Sequence, residues 1–161
     1  MEEQTIVEPQ DQMLKVDTWL DQFEEKIGLP VYTDVLHTET EKYLNLTTEE
    51  LERLSPDECD HIGIHLDRLA FHIQRAYNRE LAHVTWATEN LKMCIADKCQ
   101  SYRGSFIQQE QQAIKGDDYA TKLNRMKCFA QQRVDRLSFI ASSLHKRSDK
   151  LFSLKSKRLN K

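Results

Sequence analysis

The sequence predicts an all-α protein in which two long helices form an αα-hairpin behind a small acidic helical head. Three observations indicate this fold. The 161 residues include only 4 Gly and 3 Pro, too few for the many turns of a β-sandwich or a doubly wound sheet. Charged residues make up 30% of the chain and the mean hydropathy is -0.68, values typical of long solvated helices. Apolar residues also recur at the α-helical period over 66–102.

The beginning of the chain predicts an acidic head. Residues 1–12 are acidic and Gln-rich without hydrophobic periodicity, so we expect them to be frayed or disordered. A helix over 13–27 follows, and Gly28 ends it. The apolar positions of this helix are Leu14, Trp19 or Leu20, Phe23 and Ile27.

Two further short elements complete the head, which spans 13–54. A second helix is predicted over 32–44, after the break at Pro30. The run Thr47-Thr48-Glu49-Glu50 matches a capping box, in which the first Thr and the last Glu satisfy each other's backbone N–H groups. One or two helical turns should follow this box.

Ser55-Pro56-Asp57-Glu58 is the strongest helix start in the chain. Ser is a favoured N-cap, Pro fits the first helical position and Glu58 completes a capping box. We predict one helix over 56–102, about 70 Å long, which exceeds the width of a compact domain of this size. It must therefore project or pack lengthwise against another long helix. Its apolar stripe is Leu66, Ala70, Ile73, Tyr77, Leu81, Val84, Thr88, Leu91, Ile95, Cys99 and Tyr102.

A second long helix is predicted over 119–156, after a polar, Gln-rich segment at 105–118. Arg133 and Arg147 stand where a heptad would place apolar residues, with Val134 and Ser148 beside them. Interrupted heptads of this kind favour an antiparallel hairpin or a multi-helix oligomer. Residues 55–161 are therefore interpreted as a long helical hairpin with a basic C-terminal helix.

Charge is segregated along the chain. Residues 1–60 carry 4 Lys or Arg against 17 Asp or Glu, residues 61–121 carry 7 of each, and residues 122–161 carry 12 against 2. The local net charges are thus -13, 0 and +10, which sum to the total of -3. An acidic head and a basic tail suggest a polyanion partner, self-association between opposite poles, or both.

No group of residues predicts catalysis. His61 and His65 stand one helical turn apart beside Cys59, but the Glu of a zinc-protease motif is missing, so we prefer a chance pairing on a helix face. A phosphate loop and a dinucleotide-binding glycine pattern are both lacking. We therefore expect a protein that is not an enzyme and holds no metal or cofactor.

Composition also indicates a compartment. The chain has no apolar run long enough to cross a membrane and no apolar N-terminal signal. Its 4 cysteines lack the spacing of a metal site or a disulfide framework. We expect a cytoplasmic protein without a membrane partner.

The basic C-terminal helix is the segment whose composition points to a partner. Cations neutralise phosphates and exposed aromatic rings stack on unpaired bases, a combination that suits nucleic acid. The alternative assigns the phenylalanines of this segment to the core and only the cations to the outer face, and we prefer it for the rings. The phenylalanines concerned are Phe129, Phe139 and Phe152.

Residues 60–155 carry a resemblance to a known family. The first long helix ends Ser101-Tyr102-Arg103-Gly104, close to a Tyr-Tyr-Ser-Gly ending, and Lys98 matches the Arg of a preceding Lys-Ala-Arg-Leu-Asp stretch, with Ala96 in place of its Lys. The second helix carries Val134-Asp135, then Leu137 and Ile140, and then Arg147-Ser148. This order is similar to a Val-Asp…Leu…Arg-Ser/Gly-Phe pattern. The chain thus resembles the phage recombination mediators of the UvsY type.

The resemblance implies a ring-forming, non-catalytic protein that binds single-stranded DNA in the host cytoplasm. Such a protein helps to load a phage recombinase onto DNA coated by a single-strand-binding protein. In this family the end of the first long helix faces the DNA, and a hairpin would bring the start of the second helix beside it. The candidate nucleic-acid-binding residues are therefore Lys98, Tyr102, Arg103, Lys122, Arg125 and Lys127.

Two alternatives stay open. The candidate cations could be ordinary solvated residues that pair with Asp97, Asp117 and Asp118. The protein could also be a phage assembly factor or adaptor, which would be an oligomer of helices and would bind only protein. Both functions predict a homo-oligomer, because apolar stripes of this length exceed what one partner helix can cover.

Overall fold

The computed structural model describes residues 8–29 and 37–160, and within these ranges the chain is helical apart from short connections. The predicted all-α class is confirmed, and so is a long first helix, which ends at Cys99. The helices are α1 (Pro9–Lys26), α2 (His37–Leu44), α3 (Thr48–Arg53), α4 (Pro56–Cys99), α5 (Phe106–Lys115), α6 (Asp118–Leu137) and α7 (Ile140–Leu159). None of the described helices combines the length and apolar character needed to cross a bilayer.

The single second long helix predicted over 119–156 is wrong, because the structure divides it. α6 ends at Leu137 and α7 begins at Ile140. Between them Phe139 adopts a left-handed backbone conformation with φ of 65°. A residue in this conformation interrupts a right-handed helix. The polar segment 105–118 contains a helix of its own, α5.

Replacing Phe139 with Gly is expected to raise the stability of the protein. The left-handed conformation strains a residue with a Cβ but not glycine, and the Phe139 side chain is 82% exposed, so little packing is lost. The gain should be about 0.5–1 kcal/mol, measured as a higher urea midpoint. Phe139→Ala is the control, since it removes the ring but keeps the strain. An equal gain in both variants would contradict the explanation.

The start of the head also differs from the prediction. α1 begins at Pro9, so residues 9–12 are helical rather than disordered, whereas 1–7 lie outside the described residues. The predicted helix over 32–44 is described only from His37 onward.

Both predicted capping boxes are confirmed. The backbone N–H of Thr47 donates to Glu50 Oε2 at 2.8 Å, and the N–H of Glu50 donates to Thr47 Oγ1 at 3.2 Å. Ser55 and Glu58 form the same pair of bonds at 2.7 and 3.2 Å. These bonds satisfy N–H groups that have no partner within a helix, and thereby fix the starts of α3 and α4.

Contacts group the chain into two compact units. Unit 1 comprises Met1–Leu29 and Tyr77–Arg136, and unit 2 comprises Pro30–Ala76 and Leu137–Lys161. α4 contributes residues to both units.

In unit 1, the C-terminal half of α4 packs against α5 and α6. The buried residues are Leu91, Ile95, Cys99, Ala113, Ala120 and Leu123. α6 runs antiparallel to α4 here, because Lys98 contacts Asp117 before α6 whereas Glu80 pairs with Arg133 near its end, at 2.7 Å.

In unit 2, the N-terminal half of α4 packs against α7, again antiparallel. The core consists of Cys59, Ile62, Leu66, Ala70, Ala141, Leu144 and Leu151. Ser148 is buried in the same face and donates to the carbonyl oxygen of Gly63 at 2.9 Å. A Cβ at Gly63 would stand 2.7 Å from the ring of Phe152, so the glycine permits this close packing.

The apolar side of α1 is exposed. Leu14, Trp19, Phe23 and Ile27 are between 48% and 62% exposed. α1 contacts α4 through carboxylates: Asp17 binds His83 Nε2 at 2.6 Å, and Asp21 and Glu24 both bind Arg79. Charged groups taken out of water need partners, so these pairs orient α1 with its acidic side inward.

Candidate nucleic-acid interface

In unit 2, several cations of the basic C-terminal segment serve internal contacts. Lys155 pairs with Asp60 at 2.8 Å, and His145 lies 3.0 Å from Asp67. Arg147 donates to the carbonyl oxygen of Leu44, the last residue of α2. Opposite charges at the two ends of the sequence are therefore partly matched within this unit.

Arg158 caps the end of α3. Its guanidinium donates to the carbonyl oxygens of Leu51 and Glu52 at 2.9 and 2.8 Å. The last carbonyls of a helix have no partner within it, and a cation is a favourable one. This role removes Arg158 from the cations that a nucleic acid could use without disturbing unit 2.

The candidate residues at the end of α4 fall into two groups. Lys98 forms an ion pair with Asp117, as the alternative interpretation expected. Tyr102 is half-buried, with its phenol oxygen 2.7 Å from the place where a Cβ at Gly116 would stand. Arg103 lies beyond the end of α4, is exposed, and forms no ion pair with any described residue.

The Lys98–Asp117 pair joins the end of α4 to the start of α6. The hydrogen bond from Lys98 is the main cause that lowers the pKa of Asp117, followed by the hydrogen bond from the backbone N–H of Ala120. The same hydrogen bond raises the pKa of Lys98. The pair brings Lys98 within two helical turns of Lys122, because Asp117 directly precedes α6.

Asp117→Asn should make the free energy of unfolding depend less on pH in the acidic range. Because folding lowers the pKa of Asp117 below its ordinary 3.8, the carboxylate stabilises the fold above that pH, and the contribution is lost as pH falls through the lower folded value. Asn keeps an oxygen that can accept from Ala120 but removes the charge. Urea unfolding from pH 7 to pH 2 measures the effect. Identical slopes below pH 4 in both proteins would contradict it.

The three candidates on α6 do not share one face. Lys122 is exposed and pairs with Glu8 at 2.7 Å, and Arg125 is exposed without an ion pair to any described residue. Lys127 lies about 200° around the helix axis from Arg125 and is partly buried. Lys122 and Arg125 can therefore face one ligand together, whereas Lys127 faces the other side.

An aromatic ring stands on the same side as Arg125. Phe129 is 57% exposed, so the assignment of this ring to the core is wrong. Arg125, Phe129, Gln132 and Arg136 follow one another at spacings of four, three and four residues, which places them in one row along α6. We call this row the outer face of α6.

The outer face of α6 is open to a ligand. Its four side chains are exposed, and Arg125 and Arg136 form no ion pair within the described part of the chain. The preference from the sequence placed Phe129 in the core, although helical geometry could have placed it outside. The core of α6 is formed by Ala120, Leu123, Ala130 and Val134, and Phe129 lies about 100° from Ala130 and about 120° from Leu123.

A row of lysines in unit 2 is a second basic surface. Lys146, Lys150 and Lys157 are exposed and stand four and seven residues apart on α7, so they share one side of this helix. Asp149 and Ser153 lie beside them, without an exposed aromatic ring in the row. This surface can attract phosphates but offers no stacking partner.

His65 of α4 packs against α2 in unit 2. His65 Nε2 lies 2.8 Å from Thr40 Oγ1, and its ring contacts Tyr43 edge to face at 5.1 Å. Burial lowers the pKa of His65. The described residues contain no group of three or more His, Cys, Asp or Glu side chains that could hold a metal ion.

Comparison with known proteins found no match among protein families, curated proteins or solved structures.

Proposed function

We propose that this protein is a non-catalytic, single-stranded DNA-binding accessory protein. The observation that carries the proposal is the outer face of α6, where the exposed ring of Phe129 lies between Arg125 and Arg136. Aromatic rings with neighbouring cations are the groups by which proteins hold single strands, because every unpaired base has a stacking surface and every nucleotide a phosphate.

The dimensions of this face suit a short stretch of single strand. From Arg125 to Arg136 the helix advances about 16 Å, a length that a few nucleotides can span. Duplex DNA would leave Phe129 without a base to stack on, since its bases are paired and stacked internally. The face therefore favours single strands over duplex.

The recombination role extends this proposal. The residues quoted for the resemblance to UvsY-type mediators support a protein that loads a phage recombinase onto DNA coated by a single-strand-binding protein in the host cytoplasm. Self-association would add multivalency, since each copy contributes one outer face and weak contacts combine on one strand. Exposed apolar side chains support self-association, among them Met93, Phe106 and Ile107.

The alternative is an oligomeric assembly or adaptor protein that binds only protein. The observation that favours it is the internal pairing of charge, because Lys98, Lys122, Lys155 and Arg158 already have partners in the chain. If this alternative holds, the acidic and basic segments stabilise the fold by pairing with each other, and the protein does not bind a polyanion.

Binding of a fluorescent oligo-dT strand, measured by anisotropy over a range of salt, separates the two functions. The proposal expects binding at low salt, a steep loss as salt rises, and weaker binding of a duplex of equal length. A protein that sediments as an oligomer but leaves the anisotropy of oligo-dT unchanged at low salt would be the assembly protein instead.

A further inference from the structure

Unit 1 carries an apolar surface on α1 that the proposed function does not use. Trp19, Phe23 and Ile27 recur every four residues and are 62%, 48% and 56% exposed. The rings of Trp19 and Phe23 are stacked, with centroids 6.0 Å apart. Contiguous exposed apolar groups of this size mark interaction sites more often than inert surface.

A groove adjoins this stripe. It has a volume of about 440 Å³ and lies between Val16 and Trp19 of α1 and Trp86 of α4, with Gln12 and Lys15 at its edge. Its open side and apolar floor suit the large side chains of a peptide, and exposed aromatic residues in such grooves often carry most of the binding energy.

Cations border the groove and the stripe. Lys15 and Lys26 are exposed, stand eleven residues apart on one side of α1, and form no ion pair with any described residue. The carboxylates Asp17 and Glu24 of the same helix are turned toward α4. A ligand on the apolar stripe therefore meets two lysines along this edge, with Asp11 one turn before Lys15.

We propose that this surface binds an acidic amphipathic segment of another protein. Two apolar side chains of the segment would fill the groove and cover the Trp19–Phe23 stack, and its carboxylates would face Lys15 and Lys26. Helices with one apolar and one charged side bind apolar grooves in this way.

Two other occupants fit less well. A second copy in a symmetric contact would place the same surface on both sides of the interface and bring the lysines of the two copies together. A DNA strand would meet a helix with 5 acidic and 2 basic residues between Pro9 and Lys26, a net charge of -3 that repels a continuous polyanion. An acidic segment needs to match only the lysine edge.

Tryptophan fluorescence of the protein itself reports on this site. It contains 2 tryptophans, Trp19 and Trp86, and both line the groove. The probe is a helical peptide with two Phe residues one turn apart and with Asp and Glu only on the flank beside them. Its controls replace either the Phe residues with Ser or the acids with Asn and Gln. Tryptophan emission should shift to shorter wavelength only with the acidic peptide that retains both Phe residues.

Variants of the full chain test each component. Trp19→Ala should weaken peptide binding at least tenfold, measured by anisotropy of the labelled peptide, because it removes half of the stacked pair. Lys15→Glu and Lys26→Glu should each weaken it several-fold, whereas Lys115→Glu, an exposed lysine on α5, should not. Trp19 is mostly exposed, so helicity should stay unchanged.

Four results would overturn the proposal. The first three are no binding of the acidic peptide, equal binding of the neutral peptide, and a Trp19→Ala variant whose main effect is to dissociate the oligomer in sedimentation. Oligo-dT that displaces the peptide would assign the groove to nucleic acid and would also overturn it. Binding of oligo-dT to the Trp19→Ala variant is measured in parallel. It reports on the outer face of α6, so failure there and failure here can be told apart.

Discussion

Replacing Arg125 and Arg136 together with Glu is expected to weaken oligo-dT binding by about tenfold or more at low salt. Both guanidinium groups lie exposed beside Phe129, and neither contributes an ion pair to the described part of the fold. Each lost phosphate contact flattens the salt dependence by about 0.7, so the slope of log affinity against log salt should fall by about 1.4. Phe129→Ala should weaken binding by about fivefold or more, because stacking contributes about 1–3 kcal/mol per base.

The matched control changes the same charge elsewhere in unit 1. Lys92→Glu with Lys115→Glu also alters the net charge by four, at exposed positions on α4 and α5. This control should weaken binding only slightly through the general field of the protein, and should leave the effect of Phe129→Ala intact. Equal losses in the two charge-reversed proteins would mean that total charge, and not the outer face of α6, governs binding.

Leu66→Ala is expected to destabilise the protein by about 2–5 kcal/mol, whereas Leu81→Ala should cost less than about 1 kcal/mol. Both leucines belong to the apolar stripe predicted for the first long helix. Leu66 is 1% exposed in the core of unit 2, and its truncation leaves a cavity, whereas Leu81 is 43% exposed. Urea unfolding followed by circular dichroism measures both values. A Leu81 variant as unstable as the Leu66 variant would contradict the packing of α4.

Local signals account for what could be predicted from the sequence. The start of α4 is determined by Ser55, Pro56 and Glu58, residues adjacent to the helix they cap. Its length follows from a helical period that no Pro interrupts after the first turn. Signals of this kind depend on neighbours within one or two turns, so a single sequence contains them.

The orientation of α1 could not be predicted, because it depends on distant residues. The helix has both an apolar and an acidic stripe, and either could face inward. Arg79 and His83 decide between them by pairing with α1 carboxylates 55 to 66 positions earlier in the chain. No property of residues 9–26 alone reveals those partners.

No local sequence signal predicts the break between α6 and α7 either. Ser138 and Phe139 are neither Gly nor Pro, and the apolar spacing continues across them.

For the candidate interface, the exposure of Lys122 and Arg125 agrees with the expectation from composition. Phe129 was assigned to the core because a phenylalanine is more often buried than exposed, and only its angle from Ala130 and Leu123 indicates otherwise.

The most direct test of the outer face of α6 is photo-crosslinking of the full chain to an oligo-dT strand that contains 5-iodouracil, followed by tryptic digestion and mass spectrometry. The account predicts an adduct on the peptide between Lys127 and Arg133, which carries Phe129, and predicts its loss in the Arg125→Glu, Arg136→Glu protein. Adducts confined to peptides of α7 or of the end of α4, with the Phe129 peptide unmodified, would contradict it.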